Sequence, residues 1–387
     1  MRNQNCPLCG SKTDSILRLR FNRKMNLPTE LEIRHCASDN FLFVASGRQQ
    51  DYDEYYKSLV NDSYHAELSA GSLHSPISIL QRSYLVDALG GFFGKSRRVL
   101  DFGCGEASLL IELAGDFPTT TFLGCDPGPA VQIGSNKASA LGLQNIIVSD
   151  MTAIKEHGPF DLVILSHVVE HLLDFDLLHL LHSLLVDDGL LYVEVPNPLC
   201  YETYKRKEFL YYFDRLHVNH FTPQALTRLC AVYGFGYVRH FEYAFPYRDG
   251  GEYPALGMLL QKRNGAIGSL SPSILDAANK YISAEKQRAR AIESKLDTFE
   301  GVLIWGSGDN FYRSSENEGP LSNLRNMVIL DRRPQIISIG GKEYRAEDPQ
   351  EGIMRYPWPV AITVSEGRNA LQDQVKRIDP RRPVFFV

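Results

Sequence analysis

A glycine turn between residues 99 and 110 constrains the fold of this chain more than any other stretch of its sequence. Val99–Leu110 reads VLDFGCGEASLL, with an apolar strand start, two glycines one residue apart and an apolar helix start. Gly103 and Gly105 lack side chains at the point where backbone must approach a ligand closely. Such a turn usually holds a nucleotide-like cofactor, so the pattern predicts an α/β fold with a cofactor site here.

The spacing of the glycines distinguishes between cofactors. A dinucleotide fold requires Gly-x-Gly-x-x-Gly, and Ser108 occupies the third glycine position. A carboxylate, Asp101, stands two residues before the first glycine, and Gly124-Cys125-Asp126-Pro127 follows about 20 residues after it. Together these motifs resemble those of the class I S-adenosylmethionine (SAM) dependent methyltransferases.

The resemblance implies a role for each matching residue. In that family the glycine turn meets the methionine end of SAM, and the acid that ends the second strand binds the ribose hydroxyls, as Asp126 would here. The acid after the third strand, here Asp150 followed by Met151, faces the adenine amino group. The expected cofactor-binding residues are Asp101, Gly103, Gly105, Asp126, Pro127, Asp150, Met151 and Ser166.

Strands and helices alternate without a gap from residue 97 to 197. Further strands are predicted at 121–126, 145–148 and 160–166, and a helix at 130–141; residues 187–197 are predicted to hold a turn, the fifth strand and an exit loop. The strand Phe160–Ser166 is nearly all apolar, which is typical of a strand covered on both faces. The pattern predicts a doubly wound SAM-methyltransferase sheet of the α/β class.

The length of 387 residues suggests more than one domain. A second glycine turn, Val302–Gly308, predicts a smaller Rossmann-like unit. We favour a substrate-side or structural domain over the alternative, a second nucleotide site, because Asp309 would repel a phosphate there. The predicted regions are a zinc-binding N-terminal knob at 1–50, a SAM-dependent methyltransferase domain at 51–262, a linker helix at 263–300 and a C-terminal Rossmann-like domain at 301–387.

Four residues near the N-terminus have the pattern of a metal site. Cys6 and Cys9 form a C-x2-C turn in which both thiolates can face one tetrahedral zinc ion. Cys36 is the predicted third ligand, and Asp39 stands where a fourth cysteine would be. His35 competes for the fourth position, although it tends to point away from its neighbour Cys36 on an extended strand. We favour a structural zinc over the alternative, an empty site with Asp39 as a turn residue.

A histidine-rich loop, Phe213–Pro223, follows the core. An N-terminal zinc knuckle, a SAM core, an H-x-x-H-F-T-P loop and a further C-terminal unit together resemble the sugar C-methyltransferases that act on nucleotide-linked deoxysugars. In that family the loop carries Glu-His ahead of the phenylalanine, whereas Leu216-His217 keeps the histidine and loses the acid. The resemblance implies methylation of carbon, and the loss of the acid leaves methylation of oxygen open.

The histidines near this end of the sheet are the candidate catalytic residues. His217 and His171 match positions that the resembling family uses at its substrate end, and we predict His217 as the general base. Histidine can take a proton from a hydroxyl or from a carbon beside a ketone. The predicted substrate-binding residues are Tyr56, His167, Asn219 and His220.

The composition of the chain limits the kinds of molecule that we expect it to bind. The net charge of −5 argues against a broad nucleic-acid surface, and no apolar run is long enough for a membrane span. We expect a cytoplasmic enzyme with a small-molecule substrate, a nucleotide sugar or phosphorylated metabolite, and neither a nucleic acid nor a membrane as partner. Two alternatives are an RNA methyltransferase, because a C-P-L-C knuckle ahead of a SAM core also resembles some ribosomal RNA methyltransferases, and a non-enzymatic scaffold with a relic fold.

Overall fold

The chain forms two compact units whose segments are interleaved in sequence. Unit 1 comprises residues 1–14, 34–200 and 216–275, and unit 2 comprises residues 15–33, 201–215 and 276–387. The computed structural model describes residues 4–21, 27–58, 76–95, 97–149, 154–246, 251–263, 271–364 and 367–387, without the side chains of 56–58, 76 and 94. Asp150, Met151 and the side chain of Tyr56 lie outside the described residues.

The secondary structure alternates between strands and helices over most of the chain. The strands are β1 (Asp14–Arg20), β2 (Glu30–Cys36), β3 (Phe41–Val44), β4 (Arg98–Phe102), β5 (Thr121–Cys125), β6 (Ile146–Ser149), β7 (Phe160–Ser166), β8 (Leu185–Pro196), β9 (Asn219–Phe221), β10 (Phe235–Pro246), β11 (Glu252–Lys262), β12 (Val302–Trp305), β13 (Met327–Leu330), β14 (Ile336–Ile339), β15 (Lys342–Arg345), β16 (Val360–Ile362) and β17 (Val384–Phe386). The α-helices are α1 (Gln49–Ser58), α2 (Pro76–Leu89), α3 (Ser108–Asp116), α4 (Ala130–Ala140), α5 (Ile154–His157), α6 (Leu177–Leu184), α7 (Pro223–Val232), α8 (Ile274–Leu296), α9 (Asp309–Glu316), α10 (Pro349–Arg355) and α11 (Arg368–Ile378). Within the described residues, no helix combines the length and the apolar character that a membrane crossing requires.

Unit 1 is built on a seven-stranded sheet in the order β10-β11-β8-β7-β4-β5-β6. The five strands from β8 to β6 pair in parallel, which confirms the α/β class predicted from the sequence. The sheet also contains two strands that the sequence analysis missed, because β11 pairs antiparallel with β8 and β10 pairs antiparallel with β11. The hairpin therefore extends one edge of the parallel core.

Neighbouring residues of the central strand β4 pack into different apolar cores. Val99 belongs to one core together with Leu162 and Ile164 of β7, and Leu100 belongs to the other together with Val163. All five side chains are fully buried. Burying an apolar side chain of this size contributes about 1.5–3 kcal/mol. Both faces of the sheet are covered, as the nearly continuous apolar strands predict.

The helix α7 fixes the end of the histidine-rich loop. Thr222 caps this helix by accepting a hydrogen bond from the backbone N–H of Ala225, with oxygen and nitrogen 3.1 Å apart, and Pro223 occupies its first turn. Gly234 follows the helix with a φ of 82°, a conformation that favours glycine. Just before the helix, β9 pairs antiparallel with β3, so the loop is anchored at both β9 and α7 within unit 1.

Unit 2 contains a four-stranded sheet in the order β13-β12-β16-β17, in which every pair is parallel. A separate hairpin joins β14 and β15. Asp309, at the start of α9, forms an ion pair with the buried Arg215, whose Nη2 lies 2.7 Å from Asp309 Oδ2. The carboxylate that follows the second glycine turn is thus balanced by an internal cation.

Candidate active site

A cavity of about 600 Å³ lies in unit 1 at the carboxyl ends of the parallel strands. Three of its walls each follow one strand: the glycine turn after β4, residues 126–133 after β5, and residues between 167 and 172 after β7. Gln49 and Asp53 of α1 complete the lining. Ligands of open parallel sheets bind at this edge, so the cavity is the candidate site for cofactor and substrate.

The glycine turn requires glycine at its first position. Gly103 has a φ of 81°, and a Cβ there would lie 2.6 Å from Cγ2 of Val168. Gly105 has a φ of 52°, and a Cβ there would meet nothing within 4 Å. Both glycines line the cavity. Glycine at position 103 therefore allows Val168 to pack closely against the turn. Glycine at position 105 adds no side chain to the adjoining cavity space.

Asp126 is held at the cavity wall by two backbone groups. Its Oδ2 accepts a hydrogen bond from the N–H of Gly105 at 3.1 Å, and its Oδ1 accepts one from the N–H of Gly128 at 2.7 Å. Asp126 and Pro127 both line the cavity. The two residues that the sequence places at the end of the second strand thus lie next to the glycine turn.

Asp101 and Ser166 are two predicted cofactor-binding residues that lie outside the described cavity lining. Asp101 is 3% exposed, and burial, together with the negative charges of Asp126 and Glu194, raises its pKa to about 7. Ser166 Oγ donates a hydrogen bond to Glu194 Oε1 at 3.1 Å. The buried Asp101 and the half-buried Ser166 therefore belong, with Glu194, to a layer of polar groups next to the cavity.

Glu194 is the centre of this layer, and the sequence analysis missed it. Its carboxylate is 1% exposed and accepts hydrogen bonds from Gln81, Ser166, Tyr192 and Tyr243. The sequence does contain a signal for Glu194, which is the single acid within the apolar run LLYVEVP of β8. A carboxylate is rarely buried in a strand unless several hydrogen-bond donors surround it.

His167 links the layer to the cavity. Its Nδ1 lies 3.0 Å from Oε1 of Glu170, and its Nε2 lies 3.1 Å from Oε1 of Glu194. Burial alone would lower the pKa of His167, but the hydrogen bonds and charges of the two glutamates raise it to about 10. The imidazole is therefore positively charged at neutral pH. It lines the cavity, as a substrate-binding residue would, although both nitrogens face carboxylates.

Glu170, His171 and His217 form a cluster that adjoins the cavity through His171. His171 lines the cavity, and its Nδ1 donates a hydrogen bond to the backbone oxygen of Leu216 at 2.9 Å. The ring centroids of His171 and His217 are 5.1 Å apart. One nitrogen or oxygen atom from each of the three residues lies within 4.8 Å of the others. The structure thus brings together the two predicted catalytic histidines and adds a carboxylate.

Asn219 and His220, predicted to bind substrate, are each 1% exposed and are not among the described residues that line the cavity. The amide nitrogen of Asn219 donates hydrogen bonds to the backbone oxygens of Val169 at 3.0 Å and Leu172 at 2.7 Å. Asn219 therefore holds the turn that carries Glu170 and His171. Its observed contacts give it a positioning role.

The four predicted metal ligands also lie together, away from the cavity lining. Cys6 Sγ is 3.0 Å and Cys36 Sγ is 3.4 Å from Asp39 Oδ2, and the sulfurs of Cys9 and Cys36 are 3.7 Å apart. Two thiolates bound to one tetrahedral zinc would be about 3.8 Å apart, since each Zn–S bond is about 2.3 Å. The geometry of this cluster therefore fits a zinc ion. His35 is not one of its four described members.

One family model matches the part of the chain that contains most of the residues lining the cavity. Residues 80–240 match a family model described as a methyltransferase domain. This range runs from α2 into β10, so it includes the five parallel strands and the segments that follow them. No curated protein sequence matches the chain at a significant level. Residues 80–240, less than half of the chain, are thus similar to a methyltransferase domain.

Several solved structures are similar to part of the chain. A SAM-dependent methyltransferase from Methanosarcina mazei is 18% identical with a TM-score of 0.36, and the similarity covers 44% of this chain and 93% of that one. Magnesium protoporphyrin IX methyltransferase from Synechocystis PCC 6803, with bound SAH, is 17% identical with a TM-score of 0.41, covering 56% and 100%. Coclaurine N-methyltransferase bound to N-methylheliamine and SAH is 14% identical with a TM-score of 0.40, covering 55% and 86%.

Proposed function

We propose that this protein transfers the methyl group of SAM to a small sugar-like substrate, nucleotide-linked or phosphorylated, in the biosynthesis of sugars, polysaccharides or natural products. One observation carries the methyl transfer. The residues that match a methyltransferase domain form most of the lining of a cavity, in which the glycine turn is hydrogen-bonded to the strand-end carboxylate of Asp126. The sugar-like substrate rests on the resemblance found in the sequence.

The cofactor would be held mainly by four residues of the cavity wall. Gly103 and Gly105 give it access to the backbone, and Asp126 and Pro127 form the adjoining wall. Each carboxylate oxygen of Asp126 accepts one backbone hydrogen bond and keeps a lone pair for a ribose hydroxyl. Bound SAM supplies an electrophilic methyl group on a sulfonium, and the protein's task is to place the acceptor in line with it.

Two further predicted cofactor residues would act from the layer next to the cavity. Asp101 lies just before the glycine turn and Ser166 at the end of β7, where a buried carboxylate can influence a cationic cofactor without contact. The predicted roles of Asp150 and Met151 at the adenine end of SAM stay predictions.

The acceptor would bind at the end of the cavity that contains His171. We propose His171 and His217 as the catalytic residues there, as the sequence predicts. Their ring centroids lie 5.1 Å apart and His171 lines the cavity, which supports this proposal. His167 lines the same end and is the supported candidate for a substrate contact. The predicted contacts from Asn219, His220 and Tyr56 stay predictions.

We also propose a structural zinc in the N-terminal part of the chain. Cys6, Cys9, Cys36 and Asp39 would be its ligands, with Asp39 in preference to His35. Four protein ligands complete a tetrahedral shell, so this zinc would stabilise the fold and would not bind substrate.

A product analysis tests the proposed reaction. The purified protein is incubated with SAM labelled in the methyl group and a panel of nucleotide sugars and sugar phosphates, and the products are examined by mass spectrometry and NMR. We expect one substrate to gain one labelled methyl group, and NMR then shows whether it is attached to carbon or oxygen. Labelling of ribosomal RNA alone would replace the sugar substrate with RNA, and SAM binding without any transfer would favour the scaffold.

A further inference from the structure

Glu170 is a buried carboxylate with one oxygen still available. Its side chain is 0% exposed, and its Oε1 lies 3.0 Å from Nδ1 of His167. Its other oxygen, Oε2, is buried and has no hydrogen-bond partner among the described residues. A buried carboxylate oxygen is costly unless a donor or a cation satisfies it. Oε2 is therefore available to a cation.

His171 presents a nitrogen of the right kind to the same place. A backbone oxygen can only accept a hydrogen bond, so the contact with Leu216 fixes the proton on Nδ1 of His171. In the neutral ring the lone pair is then on Nε2, which lies 3.9 Å from Oε1 of Glu170. A histidine that binds a metal usually donates its other N–H to a carboxylate or backbone oxygen in this way.

The separation of the two side chains is compatible with a bridging ion: Oε1 of Glu170, which faces His167, gives the measured distance to His171, and Oε2 of the same carboxylate remains for the ion. The 3.9 Å between Nε2 of His171 and Oε1 of Glu170 is too long for a hydrogen bond. Two atoms that each lie about 2.1 Å from one ion are roughly 3 to 4 Å apart. With His217 included, the three ligand atoms lie within 4.8 Å of one another, so a small contraction would place all three around one ion.

Neighbouring residues hold two of the three proposed ligands, Glu170 and His171, in place before an ion binds. Asn219 donates to the backbone oxygens of Val169 and Leu172, which flank Glu170 and His171 in the chain. His167 and Leu216 hold the side chains of Glu170 and His171 respectively. Because these contacts hold the ligands before an ion arrives, binding costs little reorganisation.

We propose that Glu170, His171 and His217 bind a divalent first-row transition-metal ion at the substrate end of the cavity. One carboxylate and two imidazoles are the donor set of catalytic zinc sites and of non-haem iron sites. Three protein ligands leave coordination positions open, and because His171 belongs to the cavity lining, a molecule in the cavity would reach these positions. The ligand that fits there is an oxygen of the substrate, either a hydroxyl or a carbonyl.

The role of this ion rests on the proposed methyl transfer, although its binding does not. An ion bound to the acceptor oxygen lowers the pKa of a hydroxyl, or of a carbon beside a carbonyl. A nitrogen of His217 that binds the ion cannot also accept a proton. The ion would therefore replace the proton transfer to His217 that the sequence predicts: it would act as a Lewis acid on the bound acceptor, and the released proton would pass to bulk water. It selects substrates in which an oxygen lies at, or next to, the methylated atom.

Cobalt titration of the metal-stripped full-length protein tests the site. Co²⁺ bound to the cysteine cluster gives intense sulfur-to-metal charge-transfer bands, whereas Co²⁺ bound to nitrogen and oxygen gives only weak visible bands. We expect both signatures in the wild-type protein. Glu170→Gln and His217→Ala should each weaken the second signature by more than about a hundredfold in affinity, exceeding the usual loss from second-shell changes. Both should keep the charge-transfer bands.

The exposed His179→Gln is the matched control, and it should keep both signatures. SAM affinity, measured by calorimetry, confirms that each variant is folded. A wild-type protein that binds cobalt only through thiolates would overturn the proposed site, as would variants with unchanged nitrogen and oxygen bands. If the bands respond as expected but no sugar is methylated, the metal site stands and the proposed substrate fails.

Discussion

The carboxylate of Asp126 accepts a hydrogen bond from the backbone N–H of Gly105, with oxygen and nitrogen 3.1 Å apart. This contact joins the end of β5 to the glycine turn after β4. A second hydrogen bond, from Gly128, holds the other oxygen at 2.7 Å. The cavity wall is therefore fixed before any ligand binds, which makes both residues suitable for mutation.

We expect Asp126→Asn to weaken SAM binding by about 1.5–3 kcal/mol, the usual cost of losing a charged hydrogen-bond acceptor. The amide would also turn one of its two groups into a donor that faces a backbone N–H. Isothermal titration calorimetry measures the change. Asp161→Asn is the matched control, because Asp161 accepts a hydrogen bond from the backbone N–H of Arg98 at the opposite end of the sheet. Equal SAM affinities in the two variants would remove Asp126 from the site.

Gly105→Ala should lower SAM affinity more than it lowers stability. Gly105 and Gly142 both have positive φ, 52° and 68°, and a Cβ at either position meets nothing within 4 Å. Each alanine therefore costs about 1–2 kcal/mol of backbone strain. Only Gly105 lines the cavity, so only Gly105→Ala should also weaken SAM binding. Chemical denaturation and calorimetry measure the two effects, and unchanged SAM affinity in Gly105→Ala would contradict the placement of SAM at this turn.

The affinity for SAM should rise with pH up to about 7 and then level off. Burial, with the charges of Asp126 and Glu194, raises the pKa of Asp101 to about 7 in the free protein. The sulfonium and ammonium groups of SAM would lower this pKa on binding, so below pH 7 a proton must leave when SAM binds. The affinity then changes by up to about tenfold per pH unit, or 1.36 kcal/mol.

Calorimetry in two buffers of different ionisation enthalpy detects the released proton. Asp101→Asn should bind SAM without this pH dependence, since the amide does not titrate. The same pH profile in the variant and the wild-type protein would assign the proton to another group.

The cysteine cluster should bind one zinc ion per chain. Cys9→Ser should lose this ion and destabilise the N-terminal part before the core, because metal binding and local folding are coupled. Elemental analysis and limited proteolysis with N-terminal sequencing measure the two effects. Cys200→Ser is the control, as Cys200 is not a described member of the cluster. A preparation that has no metal at the cysteines and is fully active would refute the structural zinc.

The sequence determined the parts of this protein that depend on local patterns. The order of strands and helices from β4 to β8, the glycine turn and the cap of α7 follow from apolar periodicity, backbone freedom and side-chain capping within a few residues. The cluster of Cys6, Cys9, Cys36 and Asp39 also follows from spacing, because each half of the site is a short turn.

Tertiary structure decided the contacts between residues far apart in the chain. Glu194 is 113 residues from Gln81, and Asn219 is 50 residues from Val169, so no local pattern could indicate that they meet. No local pattern could indicate that Glu170 and His217 lie close together. Nor could one indicate that residues 15–33 and 201–215 belong to the same compact unit as the C-terminal part. A sequence motif shows which groups are available. Whether a polar side chain lines a cavity or is withdrawn from it depends on packing between distant segments, and this packing buried Asp101 and left Ser166 half-buried beside Glu194.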